Sequence, residues 1–310
     1  MTFSIITPSF KQLDWLRLCV ASVRDQVLQE STLDPRLTPT FRVEHIIQDA
    51  GSPGIEDFAR EIEADFYLDG QLGSETHPPS SATRHYQISI HCEKDAGMYD
   101  AINRGLSKSK GDICGWLNCD EQYLPGSLKK VVRKFSNDPH MEVLLGDALL
   151  VDAELTPVCY RRIMVPGQWH TRLDHLHSLS CAMFFRRTAL PSPALNSNWK
   201  VIGDAVLMDY FLSTRKHVVA CRELLSAYAF TGRNLSANPD HNEHALWINK
   251  LNWPPRWTRP LVVLMNRIRR LAHGAYCSFA VHTALYTPTS GTVRKEIRAT
   301  VSGRWPALGH

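Results

Sequence analysis

The chain predicts an α/β protein, with an open, mostly parallel sheet flanked by helices and a basic helical extension at the C-terminal end. Three observations carry this. Short apolar, β-branched runs alternate with amphipathic runs through the first half, the pattern of parallel strands joined by helical crossovers. Each of the first four strand-like runs ends in a polar segment containing Gly or Pro, so these segments line one edge of the sheet together. The tail then changes composition: from Lys250 to His310 there are ten Lys/Arg and one acid, Glu296, in a chain whose net charge is only +4.

Taken in order, Phe3 to Thr7 reads as the first buried strand and stops at Pro8-Ser9. Asp14 caps a helix in which Leu13, Leu16, Val20, Val23 and Val27 share one face. Residues 29–40 are polar with two prolines and read as a connection. Val43 to Gln48 is a second strand, ending in Asp49-Ala50-Gly51-Ser52, and Ile55 to Tyr67 an acid-rich helix. Asp69 to Gln87 reads as a surface loop. Ile88 to Cys92 is a third strand, running into Glu93-Lys94-Asp95-Ala96-Gly97, and Tyr99 to Lys108 is a helix. Ile113 to Leu117 is a fourth strand that opens onto Asn118, Asp120 and Glu121. A turn at Pro125-Gly126, a helix over Leu128 to Phe135 and a strand within Val143 to Val151 follow. Further on, Ser180 to Phe185 is a buried run ending in Arg186-Arg187. Val201 to Leu212 reads as a helix carrying Asp204 and Asp209, Val218 to Cys221 as a short strand, and Tyr228 to Ser236 as a loop.

Composition narrows the function classes. The eight cysteines form no CxxC pair; Cys19, Cys92, Cys114 and Cys181 lie in apolar runs and read as small core residues, which fits a reducing, cytoplasmic setting. Met1-Thr2-Phe3-Ser4 opens no signal peptide. The best membrane-spanning candidate, Pro260 to Tyr286, is broken by Arg267, Arg269 and Arg270. There is no GxxxxGK[ST] loop and no complete GxGxxG after a strand. The basic residues gather in the tail without any reading motif, so no nucleic-acid partner is expected.

Gly111 to Gly126 is the stretch with the most chemistry. Hard oxygen donors at i and i+2, Asn118 and Asp120, suit Mg²⁺ or Mn²⁺ holding a substrate diphosphate. Asn and Asp are equally the default residues of a solvated strand-end turn.

SIITPSF at 4–10, HIIQDAGSPG at 45–54, the block from Ser89 to Gly126, HSLSCAMFFRR at 177–187 and VIGDAVLMDYFL at 201–212 together resemble the family 2 inverting glycosyltransferases of the GT-A fold, in the branch that makes bacterial surface polysaccharides. The block from Ser89 to Gly126 is the most specific, because its order and spacing match without a break. The resemblance implies a nucleotide-sugar donor carrying UDP, GDP or dTDP. Thr7, Pro8 and Ser9 would lie against the nucleoside, Asp49 would accept hydrogen bonds from the base, and Gly51 would let the backbone come close. Asp95, Tyr99, Asp100 and Asn103 are further donor-side positions, and Cys119 sits inside the motif. Asn118-Cys119-Asp120 occupies the place of the family's DXD motif, with Asn where Asp is usual; Asp120 is then the direct carboxylate ligand and Asn118 the weaker one.

An inverting transfer needs one general base, because the diphosphate leaving group is already activated. Asp204 matches the family's late catalytic Asp, with Asp209, five residues on, as its rival. His177 and Arg186 match the acceptor side. His175-x-His177 offers only two ligands, too few for a metal site, and His241 and His244 read as a solvated turn.

The expected organisation is a GT-A domain over 1–247, with a nucleotide-sugar-binding half over 1–126 and an acceptor-binding half over 127–247, then a basic amphipathic extension over 248–310. In that extension Leu261, Leu264, Met265, Ile268 and Leu271 form one apolar stripe beside Arg267, Arg269 and Arg270. It suits a helix lying on the inner face of the cytoplasmic membrane, near lipid-linked saccharide acceptors, and equally a helix packed on the domain. The expected activity is transfer of one sugar to a hydroxyl acceptor with inversion. The alternative is a non-catalytic domain of the same fold, binding a nucleotide-sugar or serving as partner in a polysaccharide assembly complex; Asn118 is the feature that favours it.

Overall fold

The computed structural model describes residues 1–33, 41–72, 85–230, 242–251, 253–291 and 293–305. The first half contains β1 (Thr2–Ser9), α1 (Leu13–Leu33), β2 (Arg42–Asp49), α2 (Ile55–Glu61), β3 (Asp65–Leu68), β4 (Gln71–Leu72), β5 (Tyr86–Cys92), α3 (Met98–Lys108), β6 (Ile113–Trp116), β7 (Glu121–Tyr123) and α4 (Ser127–Asn137). The second half contains β8 (Val143–Val151), β9 (Pro157–Arg161), α5 (Gln168–Leu173), β10 (Met183–Arg186), α6 (Gly203–Ser213), β11 (Val218–Ala229), α7 (Glu243–Lys250), α8 (Arg259–Ala272), β12 (Ser278–Leu285) and β13 (Lys295–Ser302).

One large sheet runs in the order β4-β3-β5-β2-β1-β6-β10-β8-β11-β7, with β9 paired to β8. Strands β3, β5, β2, β1 and β6 are all parallel, so their carboxyl ends share an edge. The register aligns Ser9 with Asp49 and Asp49 with Cys92. Strand β10 is antiparallel to both β6 and β8 and carries the sheet into the second half. The sheet is therefore continuous across residues 126 and 127.

The core follows from sequence period. Strand β1 is buried from Phe3 to Ser9, as expected of a central strand covered on both faces. Helix α1 buries Leu16, Val20, Val23 and Val27, and α4 buries Leu128, Val131 and Phe135; each such side chain contributes about 1.5–3 kcal/mol. Helix α3 packs so closely on β1 that a Cβ at Gly105 would lie 2.6 Å from Ile6 Cγ2. Only glycine permits that approach.

Several element expectations are corrected. Helix α1 runs on to Leu33, into the connection expected over residues 29–40. Helix α2 stops at Glu61, and Asp65–Leu68 pairs as a strand because its aromatic and apolar residues find an open partner in β5. Residues Glu121–Tyr123 form a strand against β11, which extends to Ala229 and includes Tyr228. The rest of the expected loop to Ser236, most of the loop between Asp69 and Gln87, and His241 lie outside the described residues.

The extension carries the expected helix, α8, and then a β12–β13 hairpin that no pattern announced. The hairpin is part of the body. Val281, Leu285 and Val301 join Leu18, Leu149 and Tyr160 in one apolar cluster. Gln122 and Tyr286 exchange two side-chain-to-backbone hydrogen bonds of 2.9 and 3.0 Å. Arg294, 7% exposed, pairs with Asp25 of α1. Among the described residues no helix is long and apolar enough to cross a membrane.

Candidate active site

The parallel strand ends build the first wall. Thr7 Oγ1 lies 2.9 Å from His45 Nε2 on the neighbouring strand. Asp49, fully buried, accepts the backbone N–H of Gly51 at 2.9 Å and of Ser52 at 2.6 Å, and the Ser52 hydroxyl at 2.8 Å. Gly51 has φ 97°, which closes this turn and favours glycine. After β5, Asp95 accepts the Gly97 N–H at 2.9 Å; burial raises its pKa above the usual carboxylate range. Asp100 accepts the Ala96 N–H at 3.0 Å and pairs with Arg104, and that N–H pulls its pKa down.

The second wall is the segment after β6. The Cys119 thiol donates to the Pro8 carbonyl at 3.1 Å, tying this segment to the end of β1. Glu121 is fully buried; its carboxyl group accepts the Asn118 backbone N–H at 2.7 Å and the Asn118 side-chain amide at 3.2 Å. Burial first, then the Asp120 charge, push Glu121 well above the usual carboxylate range. Burial raises Asp120 to about 6. The Asn118 Oδ1 is buried and has no hydrogen-bond partner among the described residues.

The third wall comes from the second half. Asp204 lies in the first turn of α6, accepts the Ala205 N–H at 2.8 Å, and is raised to about 6 by burial. Its charge acts on both Glu121 and Tyr99. Two halves of the chain thus meet around the carboxyl groups of Asp120, Glu121 and Asp204.

Helix α3 sets where Asp204 stands. The Tyr99 hydroxyl donates to the Val201 carbonyl at 2.8 Å, and a Cβ on Gly203 would meet the Tyr99 ring at 2.6 Å. Lys200 Nζ donates to the Ala96 carbonyl at 2.6 Å. Asn103 makes two hydrogen bonds with the Leu195 backbone, 2.7 and 2.9 Å. Glu243 accepts the N–H groups of Lys200 and Val201 at 2.7 and 2.8 Å. The side chains of Tyr99 and Asn103, expected on the donor side, hydrogen-bond to protein backbone here and brace the approach to α6. Lys200 and Glu243 carried no sequence signal, since a lone Lys and a lone Glu look like any solvated pair.

Three other positions separate from this edge. Asp209, on the same helix, is held by the Arg172 guanidinium through two bonds of 2.8 and 2.9 Å. Arg186 pairs in register with Ile113, the first residue of β6 and so the far edge of the sheet; it donates to the Met141 and Pro139 carbonyls at 2.8 and 3.1 Å. His177 lies between Arg161 Nη2, 2.6 Å from Nδ1, and Asp174 Oδ2, 3.3 Å from Nε2. Burial lowers its pKa to about 3, so the ring is neutral.

Two sets of residues could hold a metal ion. Asp174, His175 and His177 bring three ligand atoms within 4.8 Å of one another; Asp174 is the third ligand that the His175-x-His177 spacing lacked. The other set is Asn118 with Asp120. Its fit rests on the Asn118 Oδ1, a buried acceptor without a donor among the described residues, two positions from the Asp120 carboxyl group.

A large, mostly parallel sheet flanked by helices is the architecture of the GT-A class of glycosyltransferase folds. The Glycosyl transferase family 2 model matches residues 4–189, more than half of the chain. The chain belongs to that family. Among curated relatives, the uncharacterized glycosyltransferases Rv1514c and MT1564 of Mycobacterium tuberculosis are each 30% identical over 146 residues. Those residues are 47% of this chain and 44% of the relative, so the match spans less than half of each relative's length. Among solved structures, S. aureus TarS 1-349 superposes with a TM-score of 0.51 at 14% identity, covering 88% of this chain and 72% of that one. The same protein in complex with UDP-GlcNAc gives 0.55 at 13% identity, covering 88% and 73%. At such identities the likeness is one of fold.

Proposed function

We propose that the protein transfers a single sugar from a nucleotide-sugar to a hydroxyl acceptor with inversion at the anomeric carbon. The observation that carries this is the meeting of Asp120 and Glu121, from the nucleotide-side sheet edge, with Asp204 from the second half. Thr7, Pro8, Ser9, Asp49, Gly51 and Asp95 line the nucleoside side of that edge. The acceptor oxygen attacks the anomeric carbon from the face opposite the diphosphate. The bond from carbon to diphosphate oxygen breaks, and the hydroxyl proton passes to Asp204. A base with pKa about 6 is ionised at neutral pH and ready for that proton. Asp209 is the weaker candidate, because its carboxylate is already paired with Arg172.

Asp120 and the Asn118 Oδ1 would hold a divalent ion, Mn²⁺ or Mg²⁺, which when bound supplies positive charge against the leaving diphosphate. The acceptor is a saccharide or lipid-linked saccharide of a surface-polysaccharide pathway. The extension brings the enzyme to the inner face of the cytoplasmic membrane.

The test is turnover of UDP-, GDP- and dTDP-sugars, followed as nucleoside diphosphate release, with the product anomer read by NMR. One donor turned over by wild type and not by Asp204→Asn supports the proposal. Turnover that survives in Asp204→Asn, or a product that retains the donor's configuration, contradicts it.

A further inference from the structure

Helix α8 is amphipathic in the reverse sense. Its inward residues Val262, Asn266 and Arg270 are 3%, 3% and 2% exposed, whereas Leu261, Leu264, Met265, Ile268 and Leu271 are 58%, 55%, 49%, 57% and 67% exposed. At 100° per residue these five fall within one arc of roughly 120°. Trp257, 81% exposed, precedes them by one turn. An apolar stripe of this length facing water marks a docking surface.

The helix is fixed in this rotation. Asn266 Nδ2 donates to Asp174 Oδ2 at 2.6 Å, Arg259 Nε to the Leu173 carbonyl at 3.0 Å, and Arg269 Nη2 to the Val165 carbonyl at 3.2 Å. Turning the stripe inward would break all three and bury nothing polar in their place.

Charge selects the occupant. No Asp or Glu occurs between Glu243 and Glu296. Arg256, Arg267 and Arg304 are exposed. Two of these line an open groove of about 420 Å³ whose other walls are Ile268, Leu271 and Tyr276, so guanidinium groups and apolar surface share one concavity. A second copy of this chain would set these arginines against their own equivalents across a two-fold, with no carboxylate on the helix to answer them.

We propose that this face docks on an anionic lipid bilayer, with the leucine and isoleucine side chains among the acyl chains and the arginines at headgroup phosphates. This rests on the reading above that the extension meets the membrane, and it names the face and the lipid charge. Trp257 then stands at the interface, where indoles gather. Each exposed arginine near such a surface adds about fivefold to partitioning.

The experiment is vesicle flotation of the full chain with phosphatidylcholine alone and with phosphatidylglycerol mixed in. It compares wild type, the stripe variant Leu264→Glu/Ile268→Glu, and the charge variant Arg267→Gln/Arg304→Gln. All these side chains are exposed, so folding is checked by Tm and by the nucleotide response. The expected result is that wild type floats with the anionic vesicles and binds neutral ones at least tenfold less. The charge variant weakens by tenfold or more on anionic vesicles, and the stripe variant stays at the bottom of the gradient. Equal flotation of wild type and stripe variant, no flotation of wild type on anionic vesicles, or a wild-type dimer that the stripe variant dissociates would each overturn the proposal. Flotation without any nucleotide response would leave this surface standing and remove the transferase reading instead.

Discussion

Burial gives Asp120, Glu121 and Asp204 their character. A carboxyl group taken out of water holds its proton more tightly. Asp120 and Asp204 are both raised to about 6 from an ordinary value of 3.8. The folded chain therefore binds protons that the unfolded chain releases. Their contribution to stability is fully present below about pH 4 and is lost as pH rises through 6, on the order of 1–3 kcal/mol each. Without metal or nucleotide, Asp120→Asn should raise Tm at pH 7 and leave it unchanged at pH 4; scanning calorimetry at both pH values checks this. The same raised value places the acid limb of kcat/KM near pH 6, because a protonated Asp204 cannot take the acceptor's proton. Asp204→Asn should cost about 100- to 10,000-fold in kcat with the nucleotide Kd unchanged. Tyr99→Phe should cost about 0.5–1.5 kcal/mol of stability and lower kcat without moving the nucleotide Kd, since its hydroxyl holds Val201 and touches no ligand. An equal loss in Kd would return Tyr99 to the donor side.

At the scale of elements, α3 and α6 behave as one unit. Gly203→Ala would press a Cβ into the Tyr99 ring, at 2.6 Å before relaxation. The expected cost is about 1–3 kcal/mol, with activity falling more than stability explains as the first turn of α6 shifts. The hairpin makes a second unit with α1. Removing Arg294 leaves Asp25, 11% exposed, without its cation. Arg294→Met should then destabilise by about 3–5 kcal/mol, read as a lower denaturation midpoint. These joints explain what the sequence hid. Strand β1 and helix α4 were legible because their apolar spacing is set by the element itself. Strand β7 was not, because its pairing partner β11 lies far away in the chain, and the β12–β13 hairpin was not, because the surface it packs on, at Leu18 and Leu149, does. The end of α2 was missed for the same reason: Asp65–Leu68 is a strand only because β5 offers it an edge.

For the whole molecule, the alternation of strands and helices made the parallel sheet legible, and that register puts the segments carrying Asp49, Asp95 and Asp120 along one edge. The backbone partners of Arg186, Tyr99 and Asn103 could not be read from the sequence, because a motif match gives order along the chain and says nothing of which way a side chain faces. From the sequence Asn118 reads as the weaker ligand; that its Oδ1 is buried without a hydrogen-bond partner among the described residues is visible only in the fold. The most direct measurement of the central claim is calorimetric titration with UDP, GDP and dTDP, with and without Mn²⁺, on wild type and Asp120→Ala. Binding of one nucleotide that strengthens with Mn²⁺ and loses that dependence in Asp120→Ala is the predicted result. No binding of any nucleotide by wild type would contradict it.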